Sequence, residues 1–225
     1  MNILRQIVLR YPEKSQRFLE ILPGATSWFL ILFPVWGSLT IPYIVAYYII
    51  AFDMYWLYRS FTLATLSIGA YFKIIAAQRF DWLADLKSLP KAKQMHHIIV
   101  IPTYQEPMAT LERTLTHLEK QTFPKKRIHI MLSFEEREGE PAKKKAKELQ
   151  LKYGKSFGNL WTTFHPDIAG EVKGKSSNTS WGARRAKEFL VDKQGVSIEN
   201  ITITSEDADA LLHPQYFAAI TSEFL

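Results

Sequence analysis

Two carboxylates one residue apart, Asp207 and Asp209, follow directly on a short β-branched run, Asn200-Ile-Thr-Ile-Thr204. Alternate residues of an extended segment point the same way, so both carboxylates can face one point. Hard oxygen ligands of this kind favour Mn2+ or Mg2+, ions that commonly bridge to phosphate oxygens. His213 adds a further candidate ligand. A second group is cationic. The loop Gly170-Glu-Val-Lys-Gly-Lys-Ser-Ser-Asn178 sets Lys173 and Lys175 among glycines just before a helical stretch. Ammonium groups, backbone N–H groups and a helix N-terminus suit a phosphate, although a polar turn capped by Ser176 or Ser177 gives the same pattern. A third group, Pro102-Thr-Tyr-Gln-Glu-Pro107, offers a hydroxyl (Thr103), an aromatic face (Tyr104) and a carboxylate (Glu106). Those three suit stacking on, and hydrogen bonding to, a flat base. The fourth is Ser133-Phe-Glu-Glu-Arg-Glu138, where Glu135 or Glu136 could accept from a base edge or a ribose. Taken alone, it reads first as a solvated acidic turn.

The elements that must position these residues alternate. His97-Ile-Ile-Val-Ile101, Arg127-Ile-His-Ile-Met-Leu132, 160–164 and Asn200-Ile-Thr-Ile-Thr204 read as strands. Leu111, Leu115 and Leu118 recur at helical spacing after Pro107, and Ala142, Ala146, Leu149 and Tyr153 make one stripe after Pro141. A third helix follows the lysine loop and ends near Leu190, and a fourth opens at Pro214. Four βα units predict an α/β fold with a mainly parallel sheet and right-handed crossovers. Ligands of such sheets bind beyond the carboxyl ends of the strands, where all four groups lie.

Composition removes several alternatives. The 225 residues contain no cysteine, which excludes a disulfide scaffold, zinc–thiolate and iron–sulfur sites, and a cysteine nucleophile. No G-x-G-x-x-G follows the first strand, and no G-x-x-x-x-G-K-[ST] is present, so neither a Rossmann dinucleotide site nor a P-loop is supported. The net charge is +6, but it is unevenly placed. Residues 1–95 carry 10 Lys and Arg against 5 Asp and Glu, and residues 96–225 carry 18 against 17. The basic excess therefore accompanies an apolar stretch rather than a folded nucleic-acid-binding face, and no nucleic-acid partner is expected. The dense run Lys143-Lys-Lys-Ala-Lys147 reads as the solvated face of the second helix.

From Ile21 to Phe52 no residue is charged, and Trp and Tyr are frequent through Tyr58. About 20 apolar residues cross a bilayer, so a lipid bilayer is an expected partner. Pro23-Gly24 reads as a break before the segment, and Gly37-Ser38 with Pro42 as a break inside it. One span over roughly 28–51 would avoid Asp53, whereas a hairpin of roughly 25–38 and 41–60 leaves basic residues on the same side at both ends. The positive-inside tendency favours the hairpin, with the soluble half facing the cytoplasm at the cell membrane. The expected organisation is a cytoplasmic segment at 1–24, transmembrane helices at 25–60, an interfacial amphipathic helix and linker at 61–95, and a nucleotide-binding domain at 96–225.

In this order, Ile-Pro-Thr-Tyr-Gln-Glu, then Gly-Lys-Ser-Ser-Asn, then Glu-Asp-Ala-Asp-Ala-Leu-Leu-His-Pro-Gln-Tyr-Phe resemble a family 2 (inverting, GT-A) glycosyltransferase. The membrane-attached, processive-synthase-like branch is the nearest likeness, over about residues 95–225. The resemblance implies a GT-A fold and transfer of a sugar from a nucleoside-diphosphate-sugar donor to an acceptor hydroxyl, with a UDP-sugar the first donor to expect. The acceptor would be a glycan or a lipid, as in polysaccharide biosynthesis. Thr103, Tyr104 and Glu106 would line the base and ribose pocket, Glu135 or Glu136 would contact the base, and Lys175 would approach the phosphates. Asp207 and Asp209 would be the D-x-D pair, Asp209 the better ligand of Mn2+ or Mg2+, with His213 as a possible helper. Ser-Phe-Glu-Glu-Arg-Glu replaces the family's Asp-rich turn, and Ser180 stands where an Asn is usual. The family's catalytic base and Q-x-x-R-W motif would lie beyond Leu225, so the chain reads as the donor-binding part of a longer, truncated protein, poorly active alone. A membrane-anchored, non-catalytic nucleotide-sugar-binding or scaffold module is the alternative. A nucleotidyltransferase would share the metal chemistry but leave the anchor unexplained.

Overall fold

A computed structural model describes residues 10–225. The first nine residues of the expected 1–24 segment, Arg5 among them, lie outside the described residues. The chain divides into two compact units that meet in sequence at Ala77 and Gln78.

The first unit contains two helices, α1 (Pro12–Thr40) and α2 (Pro42–Arg79). At 1.5 Å per residue they are about 43 Å and 57 Å long. Both are long and apolar enough to cross a membrane, and the apolar stretch of neither is covered by protein. The break at Pro42 falls where the sequence places it: Ile41 leaves helical geometry and the chain turns. Pro23, by contrast, lies inside α1, and α2 runs unbroken past Ser60 to Arg79. The expected surface helix from residue 61 is thus the continuation of α2, and that stretch exposes Leu63, Leu66, Ile68 and Phe72 as well as Lys73 and Arg79.

The hairpin closes on three contacts. Gly37 admits Val45, since a Cβ at 37 would come within 2.8 Å of the valine Cγ2. The ring of Phe33 meets that of Tyr48 edge-on at 5.1 Å. Pro34 has no N–H, so it leaves the Leu30 carbonyl without its helical donor, and the Tyr48 hydroxyl of the opposite helix donates to that carbonyl at 3.1 Å. In hydrocarbon every backbone polar group needs such a partner.

The second unit holds the sheet. β1 (His96–Thr103), β2 (Ile128–Glu135), β3 (Asn159–His165) and β4 (Ile201–Ser205) are all parallel, in the order β3-β2-β1-β4. α4 (Met108–Leu118) joins β1 to β2, and α5 (Glu140–Tyr153) joins β2 to β3. α6 (Lys175–Lys187) precedes β4, and α7 (Tyr216–Phe224) follows it; a short α3 (Trp82–Asp85) precedes the sheet. One core packs Leu111, Leu115, Leu118, Ala146, Leu149 and Phe217 against Ile99, Ile101, Ile130 and Leu132. The other packs Ala186 and Leu190 against Ile98, Val100 and Met131. Helices therefore cover both faces, and β1 and β2 are buried along almost their whole length. That is why they read as continuous apolar runs. Gly182 lets α6 lie close on the sheet, because a Cβ there would sit 2.8 Å from Val100 Cγ1 and 3.0 Å from Ser133.

Three imidazoles gather at the amino ends of β1 and β2. His96 Nδ1 lies 2.9 Å from His129 Nε2, and His129 Nδ1 lies 2.9 Å from the Asn159 amide. His97 is fully buried between Thr202 at 2.6 Å and Thr221 at 2.8 Å. Thr221 donates its own proton to the Phe217 carbonyl, so its oxygen accepts from His97 Nε2–H and leaves Nδ1 to accept from Thr202. Burial first, then the Arg127 guanidinium, pulls His97 down to about 3. Burial and then His96 pull His129 to about 4, and His96 itself is lowered by burial and Arg127.

The hairpin bond and the histidines each bear on stability. Tyr48→Phe should destabilise the hairpin by about 0.6 kcal/mol, and by no more than about 1.7. The same change in a Pro34→Ala background should cost nothing, because the alanine restores a backbone N–H that bonds the Leu30 carbonyl itself; detergent-driven unfolding of the parent and the three variants measures both. For the histidines, the folded state resists protons that the unfolded chain takes up near pH 6.5. Their contribution is complete above that pH and is lost as pH falls through the window toward 4 and 3. Thermal melts of the full chain in non-ionic detergent should shift down between pH 7 and pH 5, and His97→Gln should flatten that dependence.

Candidate functional site

The strand order reverses at β1. The first two crossovers carry the chain outward to β2 and β3, and the third brings it back to the far side of β1. The segments leaving the carboxyl ends of β1 and β4 diverge from that point, and a crevice is the expected result. A cleft of about 270 Å³ opens there. It gathers seven of the residues singled out in the sequence: Thr103, Tyr104, Glu106, Glu135, Lys175, Asp207 and Asp209. Arg137 and Asn178 complete its polar lining.

Each wall has a local cause. Glu206 N–H still bonds the Val100 carbonyl, so the β4 direction persists into the acidic loop. Ala208 is buried in the core while Asp207 and Asp209 on either side are exposed; the sequence expects extended chain here, but β4 ends at Ser205 and a turn closed by Ala210 N–H on the Asp207 carbonyl presents the two carboxylates. Thr114 holds the Ala208 carbonyl at 2.6 Å, and Arg113 the Asp209 carbonyl at 3.3 Å. Lys175 opens α6, and its ammonium pairs with the Asp207 carboxylate across the cleft. α6 is registered by Asn178, whose amide donates to the Ser133 carbonyl at 2.8 Å and accepts from the Ser133 hydroxyl at 2.7 Å. β2 runs two residues past Ser133, so Glu135 is its last residue rather than part of a free acidic turn. Glu135 accepts from Arg137 Nε at 2.5 Å, and the Arg137 guanidinium lies 4.0 Å over the Tyr104 ring. The pair with Glu135 holds Arg137 above its usual range.

Three sequence candidates are not brought in. Glu136 sits in the exposed turn after β2 and does not line the cleft. His213 lies beyond the turn closed by Ala210 N–H on the Asp207 carbonyl; its Nδ1 accepts from Gln215 N–H at 3.3 Å. Lys173 is drawn to Asp167 at 2.5 Å. Among the described residues, no three His, Asp or Glu side chains gather as a metal-binding group. The cleft carboxylates that could lend oxygens to a hard cation are Asp207 and Asp209, and Asp207 is engaged by Lys175.

Arg137 and Asn178 escape sequence reasoning, Arg137 because it sits among glutamates and Asn178 because its work is in tertiary contact. Lys145 is a correction. It belongs to the run read as a solvated face, yet its side chain is only 15% exposed and pairs with Glu138 at 2.5 Å. Its place three residues after Ala142 and four before Leu149 puts it beside the buried stripe, which is the signal that was available.

Electrostatically, four carboxylates (Glu106, Glu135, Asp207, Asp209) face two cations (Arg137, Lys175). Two of the four are matched by these cations, and two are left over. Next to them Glu206 is 3% exposed with neither carboxylate oxygen hydrogen-bonded. Burial, and then Asp207, push it up to about 8. The Thr103 hydroxyl is likewise buried without a hydrogen-bond partner.

The chain matches no protein-family model, no curated protein and no solved structure.

Removing the amide register should show directly. Asn178→Ala removes the amide donor from the buried Ser133 carbonyl and leaves the Ser133 hydroxyl only its longer bond to the residue 178 carbonyl, 3.2 Å, at a cost of about 1–3 kcal/mol. Denaturant unfolding of the full chain checks the magnitude.

Proposed function

We propose that the chain is a membrane-anchored glycosyltransferase of the GT-A, family 2 type, and that the cleft binds its nucleoside-diphosphate-sugar donor. One observation carries the reading: a hydroxyl, an aromatic face, a lysine and an aspartate pair from separate segments converge at the reversal of strand order. That set matches a base, a diphosphate and a cation. Thr103 belongs to the same wall, its hydroxyl buried there without a partner. α1 and α2 supply the anchor, which fits an enzyme of the cell membrane acting from the cytoplasmic side on a glycan or lipid acceptor.

In this reading Tyr104 stacks the base and Thr103, Glu106 and Glu135 meet its edge and the ribose. Asp207 and Asp209 would hold Mn2+ or Mg2+, whose two positive charges equal the cleft's two surplus negative ones and lower the cost of bringing in a diphosphate. The acceptor hydroxyl oxygen attacks the sugar's anomeric carbon as that carbon's bond to the phosphate oxygen breaks; the nucleoside diphosphate leaves with the electron pair, and the hydroxyl proton passes to a carboxylate base. Lys175 stabilises the charge that develops on that leaving group. To do so it must give up Asp207, so the cation and Lys175 compete for one carboxylate until phosphate arrives.

That competition gives the test. In calorimetric titrations of the full chain in detergent, Asp209→Ala should abolish Mn2+-dependent UDP binding. Lys175→Ala should weaken Mn2+·UDP yet tighten Mn2+ alone, since Asp207 is released. Unchanged Mn2+·UDP and Mn2+·GDP affinities in both variants, or no binding by the parent chain, would overturn the reading. Binding with little or no release of nucleotide from UDP-sugars and GDP-sugars is expected of a donor-binding part, and robust sugar transfer by the chain alone would overturn that reading of it.

A further inference from the structure

Gln105 is the only non-glycine residue with a positive φ, +59°, among the described residues. It stands between Tyr104 and Glu106, two residues of the cleft wall. Side chains other than glycine avoid this region unless the surroundings over-determine it. Here two groups do so. The Glu138 carboxylate accepts from Gln105 N–H at 2.9 Å, and the Lys145 ammonium donates to the Glu106 carbonyl at 2.8 Å. Glu138 and Lys145 pair with each other at 2.5 Å, with side chains only 4% and 15% exposed.

Two charges removed from water in this way need hydrogen bonds beyond their mutual attraction. The loop backbone supplies them, one to each charge. The dependence runs both ways: the pair completes its hydrogen bonding only on the loop, and the loop keeps its left-handed residue only on the pair. Glu138 also follows Arg137 in sequence, and Arg137 covers the Tyr104 ring. One turn, residues 136–138, therefore holds Tyr104 from its ring face and from the backbone of the next residue.

We infer that Glu138 and Lys145 are positioning residues for the donor site, an ion-pair clamp that fixes the left-handed Gln105 and thereby sets Tyr104 and Glu106 as base and ribose contacts. The inference rests on the cleft being a nucleotide site. Neither clamp residue lines the cleft, so both act through the loop. The clamp belongs to the base side and leaves the Asp207/Asp209 pair untouched.

The test separates the clamp from mere stability and from the donor reading itself. Titrations of the full chain in detergent use Mn2+ alone, then Mn2+·UDP and Mn2+·GDP. Glu138→Ala should weaken the better nucleotide by about ten- to a hundredfold while Mn2+ alone binds as before. Glycine adopts φ +59° without help, so Gln105→Gly placed in the Glu138→Ala chain should restore nucleotide affinity to within about threefold of the parent. Should Glu138→Ala fail to fold, Glu138→Gln keeps an acceptor for Gln105 N–H and breaks only the charge pairing; it and Lys145→Met should show smaller losses of the same kind. Unaltered nucleotide affinity in these variants, or a loss that Gln105→Gly does not reverse, would overturn the clamp while leaving the donor reading intact. A parent chain that binds neither nucleotide would overturn both.

Discussion

Everything in the second unit depends on β1 being flanked by β2 on one side and β4 on the other. The first two crossovers build the sheet outward, and the third returns across β2 and β1 with α6 on the face that α4 and α5 leave open. The loops after β1 and β4 then depart in opposite directions, and no helix can fill the gap between them. The crevice is a product of connectivity before any functional side chain is considered. β2 contributes by overrunning into it, and α6 by starting beside it.

The charges in that crevice are arranged as matched pairs plus a remainder. Glu135 is held by Arg137 and Asp207 by Lys175, so the free energy of an incoming ion depends on which pair it must open. Arg137 is doubly engaged, by a carboxylate and by an aromatic face, and a guanidinium so placed keeps a planar surface in the slot. Lys175 is a flexible point charge on an exposed pair, which water and salt weaken. The rigid cation therefore lies on the aromatic side and the mobile one on the aspartate side. Glu206 is buried beside Asp207 without hydrogen bonds, and burial, then Asp207, shift it toward its protonated form.

Much of the fold was legible because β1 and β2 are buried on both faces, β3 and β4 are short β-branched or aromatic runs, and α4 and α5 carry one apolar stripe each. His97–Ile101 and Ile201–Thr204 could hardly be anything but strands, and Leu111, Leu115 and Leu118 mark α4 without help from tertiary structure. The convergence of Thr103, Tyr104, Glu106, Glu135, Lys175, Asp207 and Asp209 followed from a rule about strand ends rather than from any one motif. What sequence could not give were the relations between segments. Glu135 and Glu136 are indistinguishable in a run of acids, and only the end of β2 decides that one faces the cleft and the other water. Lys145 looks like its neighbours in a basic run until Glu138 is seen to meet it. Ser60 looked like a boundary because a charge precedes it, yet helix propensity carries α2 across it without a cap. His213 failed for a local reason: a turn at Asp207–Ala210 swings the following residues away.

The contact at Gly182 reaches beyond packing. Its missing side chain is what Val100 occupies, 2.8 Å from where a Cβ would be, and Val100 in turn registers β4 through its pairing with Ser205. Positions 182 and 100 are therefore not free to drift one at a time. A descendant that gains a methyl group at 182 must lose bulk at 100, or else lift α6 away from the sheet and take Lys175 with it. Covariation between these two positions, one on a helix far along the chain from the other's strand, is the trace this geometry should leave in any lineage that keeps the cleft.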